Sequence, residues 1–142
     1  MATIGWQGWA LLSAVFAALT AILAKVGVEG VDPDVATFVR TLVIAVVLAT
    51  LLLVTGHRIG AIPARAYMFL TLSGLATGAS WLCYFRALSL GDAAQVAPLD
   101  KLSVVLVAIF AVIFLGERLS IRDAAGIALI TIGAFLVATG RA

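Results

Sequence analysis

Five long apolar stretches, separated by short connections, constrain this 142-residue chain more than any other feature. They run from Ile4 to Ala24, Val35 to Thr55, Ala66 to Leu90, Ala93 to Leu115 and Ala124 to Thr139. At a rise of about 1.5 Å per residue, each has about the length that crosses the ~30 Å hydrocarbon core of a bilayer. The expected fold is an all-α integral membrane bundle of five transmembrane helices, treated as a single domain over residues 1–142. Because the number of spans is odd, the termini are expected on opposite sides of the membrane.

Composition excludes most other classes. With 64% hydrophobic and 11% charged residues, and a mean hydropathy of +1.22, too little polar surface remains to cover a water-soluble globule. The net charge is only +2 and no basic cluster stands behind it, which argues against nucleic-acid binding. Cys83 is the single cysteine, so an internal disulfide is excluded. With His57 the only histidine, and set in a loop, no zinc ligand set exists and no cofactor is expected. Ser80 and Cys83 lack a neighbouring histidine, so an enzyme is the poorest reading. The first stretch shows neither a basic leader nor a small-residue cleavage site and reads as a retained span. Trp6 and Trp9 at its start suit interfacial anchors.

The connections carry turn chemistry at 28–33, 55–60, Gly91-Asp92 and 116–122, and their shortness makes neighbouring helices antiparallel. Pro33 opens span two with Asp32 as its cap, and Asp92 is placed to cap span four. Positive charge is nearly balanced. Arg58, Arg65, Arg118 and Arg122 fall on the side of the amino terminus, against Lys25, Arg40, Arg86, Lys101 and Arg141 opposite. A bias of lysine and arginine normally sets orientation, so this chain carries a weak instruction about which way to insert.

The residues that hydropathy alone would not tolerate are Arg40, Arg86, Asp100 and Lys101. Each costs roughly 2.5–3.5 kcal/mol at a helix centre, falling toward the interface. One reading has Arg40 and Lys101 snorkelling to the headgroups, with Asp100 in a structural pair. The other has these groups lining a polar cavity where a solute binds. Adjacent Asp100 and Lys101 project about 100° apart, so at most one points straight into a given cavity. Pro98 removes a backbone hydrogen bond and frees the Ala94 carbonyl. Asp92 is a better cap than Ala97, so the helix is read as starting at Ala93 and kinking at Pro98. In span three, Trp81 and Tyr84 lie at i and i+3 beside Arg86 and suit an aromatic cavity wall or the core equally. Gly74 and Gly78 form a GxxxG pair, and Gly126, Gly133 and Gly140 make a stripe on span five suited to close contact within the chain or between two protomers.

Several of these stretches together resemble a single EamA-type domain of the drug/metabolite transporter superfamily. The resemblance covers nearly the whole chain. It is carried by Ala-Lys25-Val-Gly, Val-Asp32-Pro33, Phe38-Val-Arg40, Tyr84-Phe85-Arg86-Ala-Leu, Ala97-Pro98 and Leu-Gly116-Glu117-Arg118-Leu, followed by Gly126 and Gly133. It implies an all-helical secondary transporter. Most members join two five-helix repeats of inverted topology, whereas this chain looks like one repeat that recovers the symmetry with an oppositely inserted partner. The resemblance does not fix a substrate. Glu117 matches the family's Gly-Glu pattern and reads as architectural.

The expectation is therefore a homodimeric, antiparallel secondary transporter of a small metabolite or drug-like solute in the bacterial inner (plasma) membrane. Its other partner is membrane lipid. Arg40, Trp81, Tyr84 and Lys101 are the candidate substrate-binding residues, Asp100 the proton-responsive or charge-balancing group, Pro98 the helix kink, and Gly126 and Gly133 the dimer contact. The excess of basic groups suggests an anionic or zwitterionic solute. A lipid-carrier flippase or its accessory subunit is the first alternative, and a non-transporting membrane scaffold the second.

Overall fold

The computed structural model describes residues 5–57, 60 and 62–140. Six α-helices follow in order: α1 (Trp6–Val28), α2 (Pro33–Thr55), α3 (Ala64–Leu90), α4 (Ala93–Asp100), α5 (Ser103–Phe110) and α6 (Ile121–Thr139). A π-helical turn, Ala111–Leu115, continues α5, so that Ala93–Leu115 makes one span and the described residues hold five helical segments of membrane-crossing length and hydropathy. The described residues contain no strand. Ile4, Arg58 and Arg141, which entered the span limits and the charge count, lie outside the described residues.

The chain forms two compact units, Met1–Ile22 with Gly91–Ala142, and Leu23–Leu90. In the first, α6 packs against α4 and α5; in the second, α2 packs against α3. Large apolar side chains face outward, among them Leu53 at 82% exposure and Phe114 at 76%, a surface that only hydrocarbon tolerates. Among the described residues, four of the seven buried apolar ones are alanines, Ala21, Ala24, Ala111 and Ala134. That choice follows from the solvent. Lipid tails are as apolar as leucine, so helices associate by close packing of small residues and not by expelling water.

Each helix end must satisfy its own backbone. The Asp32 side chain accepts from the N–H groups of Asp34 (2.9 Å) and Val35 (3.2 Å), with Pro33 in the first turn, as expected. Asp92 behaves differently. It stands at the start of α4 and its carbonyl accepts from Gln95 and Val96, but its side chain makes no capping bond. The fifth span starts at Ile121, three residues before the expected Ala124, because Ser120 and Asp123 form a reciprocal capping box: Ser120 Oγ accepts from the Asp123 N–H and Asp123 Oδ2 from the Ser120 N–H. Threonine hydroxyls are satisfied locally, as in Thr37 to the Pro33 carbonyl and Thr131 to the Ile127 carbonyl, both 2.8 Å.

Span four breaks two residues after Pro98 has passed. α4 continues to Asp100, and the joint at Lys101 and Leu102 is tightened by i to i−3 bonds, Lys101 N–H to Pro98 and Leu102 N–H to Leu99, both 3.1 Å. Bonds of this spacing give the joint 3₁₀ geometry, while the turn before Pro98 stays α-helical. At its other end the span closes on Gly116, whose φ of 68° lies in the left-handed region that glycine tolerates best. The Glu117 N–H donates to the Ala111 carbonyl at 3.1 Å, so its backbone helps to end the span.

Replacing Ser120 by alanine is expected to destabilise the α6 start by about 1 kcal/mol. Denaturant unfolding in detergent, followed by helicity, measures it; an unchanged midpoint would show that the box contributes nothing.

Candidate functional site

The Leu23–Leu90 unit gathers polar groups where α1 ends, α2 begins and α3 ends. Lys25, in the last turn of α1, donates through Nζ to the Leu88 carbonyl at 2.8 Å. Leu88 is fully buried, and its carbonyl is among the last four of α3 that helix geometry leaves without an intrahelical partner. The ammonium therefore closes a helix terminus whose dipole favours a cation. Arg86 Nη2 donates to both carboxylate oxygens of Asp34 in the first turn of α2, at 3.2 and 3.1 Å. With side chains 61% and 53% exposed, this pair resembles a surface ion pair more than a buried one.

Arg40 lies deeper, about 9 Å along the α2 axis from Asp34. Its guanidinium carbon stands 4.1 Å from the centre of the Trp81 ring and 5.5 Å from that of Phe85. Trp81 and Phe85 are i and i+4 on α3, so they form one aromatic strip opposite the α2 face that carries Arg40. Such contacts contribute about 0.5–1 kcal/mol when exposed and ~2 or more when desolvated, against the roughly 2.5–3.5 kcal/mol cost of the cation at a helix centre. With two rings in reach, the attraction is of the same order as that cost, and the rings hold the cation in place. Tyr84, half-buried on the same helix, is within electrostatic reach of Arg40.

Of the residues expected at the site, Arg40, Trp81 and Tyr84 thus fall together in the Leu23–Leu90 unit. Phe85, four residues after Trp81 and absent from the expected set, joins them through its ring contact with Arg40. Lys101 and Asp100 belong to the other unit, at the joint between α4 and α5, where Lys101 Nζ and Asp100 Oδ2 pair at 3.2 Å. Their backbones project apart, but the long lysine stem turns back on its neighbour.

The glycines expected to mediate close approach are uncovered. Among the described residues, no atom beyond their own surroundings stands within 4 Å of where a side-chain carbon would lie at Gly74, Gly78, Gly126 or Gly133. Beside them on α6, an apolar groove of about 400 Å³ opens between α5 and α6, lined by Val105, Ala108, Ile109, Ala124, Ile127 and Ala128 among others. Thr131, also on its wall, spends its hydroxyl on the Ile127 carbonyl. The groove suits hydrocarbon and not a charged solute.

The model of the EamA-like transporter family matches residues 4–139. This chain belongs to the EamA-like transporter family. A Sinorhizobium protein described as an uncharacterized transporter in the cobO 3' region is 61% identical over 135 residues, covering 94% of this chain and 96% of that one. No solved structure matches it. The similarity thus runs over nearly the whole of both chains.

A double-mutant cycle with Arg86→Met and Asp34→Asn is expected to give a coupling of about 0.2–1 kcal/mol in detergent unfolding. A coupling several times larger would show that the pair is desolvated in the membrane-bound protein.

Proposed function

We propose that this EamA-type chain is a secondary transporter of a small organic solute, working by alternating access as an antiparallel homodimer in a bacterial inner membrane. The observation that carries the site is Arg40, set within an apolar span and held 4.1 Å over Trp81. Intramembrane charge that is kept and positioned in this way belongs to solute or ion pathways more often than to lipid-facing structure. Arg40, Trp81, Phe85 and Tyr84 line the site in this reading. Lys101 is a second charged position in the other unit, and Asp100 beside it is the proton-responsive or charge-balancing group.

The assembly is supported by three features. The family match covers one five-span unit, and alternating access in inverted-repeat transporters uses two of opposite orientation. The lysine and arginine count, four against five, leaves both insertions open. Gly126 and Gly133 present uncovered small positions on α6, the kind of surface on which a second helix packs closely.

In proteoliposomes loaded with labelled metabolites, Arg40→Ala and Lys101→Ala should each reduce exchange at least about tenfold, as expected where a lost intramembrane charge contact exceeds about 1.4 kcal/mol. Exchange unaffected by both would remove this site. Gly126→Leu with Gly133→Leu should shift the protein toward monomer, read by energy transfer between labelled copies; an unchanged dimer fraction would place the contact elsewhere.

A further inference from the structure

The cations of the apolar spans divide by what holds them. Arg86 is bound to Asp34 and Lys101 to Asp100, and these are the ion pairs formed among the described residues. Lys25 donates to the Leu88 carbonyl. Arg40 is set instead against two ring faces. Asp34, on the same helix, stands about 240° around the axis from it and is held by Arg86. Aromatic faces satisfy the charge of a guanidinium but do not accept along its N–H edge. A guanidinium backed by rings is thus fixed in orientation while its planar fork of donors, which matches two oxygens of one carboxylate or phosphate, is not taken by a carboxylate of the described residues.

We propose that Arg40, braced by Trp81 and Phe85, is the receptor for an oxyanion, and that the transported solute is an organic anion bearing a carboxylate or phosphate. The inference rests on the reading of Arg40 as part of the transport site. It also assigns Phe85 a role: with Trp81 it forms the strip that keeps the fork from swinging to the headgroups. In a medium of low dielectric constant, a neutral solute leaves the fork's charge uncompensated and a cationic one is repelled. The fork therefore selects for charge before it selects for shape.

The test uses the full chain in phosphatidylcholine nanodiscs, with Trp6→Phe and Trp9→Phe leaving Trp81 as the only tryptophan. Benzoate, benzamide and benzylammonium, alike in size and different in charge, are titrated against Trp81 emission, with inorganic phosphate as a second oxyanion. Benzoate should saturate the response at a concentration at least tenfold below benzamide, and benzylammonium should give none. Arg40→Gln should abolish the benzoate response. Arg40→Lys, which keeps a charge in the span and serves if the glutamine variant does not fold, should weaken it roughly tenfold because an ammonium lacks the fork. Phe85→Leu should weaken it severalfold with the charge unchanged. Exchanging part of the lipid for phosphatidylglycerol separates the sources of the oxyanion. Competition between that lipid and benzoate assigns the receptor to a headgroup, and its absence to a free solute. Benzamide binding as tightly as benzoate, or benzoate binding unaltered in Arg40→Gln, would overturn the oxyanion receptor. If benzylammonium saturates instead and Arg40→Ala still stops exchange in proteoliposomes, the anionic class falls while the transport site stands.

Discussion

Hydrocarbon accepts no hydrogen bonds, and the organisation of this chain follows from that constraint. Every polar atom within the spans needs a partner from the protein. Threonines bond back to their own helix, Lys25 closes the end of α3 on Leu88, and Asp32 and the Ser120–Asp123 box close the starts of α2 and α6. The same constraint removes the usual reward for burying large apolar side chains. Alanines accordingly make up much of the small buried core, and leucine, valine and phenylalanine are turned to the lipid.

Against this background Arg40 stands apart. Helix-end cations have an evident structural task, whereas Arg40 sits farther into its span against the faces of Trp81 and Phe85. A charge held in this way within an apolar span is, in the proposed reading, the group that meets the solute. The chain belongs to the EamA-like transporter family, and in the proposed reading Arg40 serves that transport.

Much of the architecture was readable from hydropathy and turn chemistry, because membrane thickness and the proline, aspartate and glycine punctuation act locally. The cap of α2 by Asp32 and Pro33 is such a feature. What escaped was either subtle or distant. The Ser120-x-x-Asp123 box was present as a local pattern, but the apolar run of span five drew its start to Ala124. The break falls after Asp100 and not at Pro98, because the strain of a proline acts on the turn before it and does not fix where the helix ends beyond it. Arg86 with Asp34 and Lys25 with Leu88 lie 52 and 63 residues apart, beyond the reach of any periodicity. Arg40, Trp81 and Tyr84 were grouped by residue chemistry, and Phe85 was passed over because an aromatic residue in an apolar helix looks like any other core residue.

The claim of two opposite insertions is tested most directly by the sidedness of the carboxyl terminus in native membranes. Cys83 is replaced by serine, Ala142 by cysteine, and an impermeant thiol reagent is applied before and after the membrane is opened. The account predicts that about half of the final label appears before opening, as two orientations of comparable population require. Labelling that is all or none would contradict it, and would call for a different chain of opposite orientation or a parallel assembly.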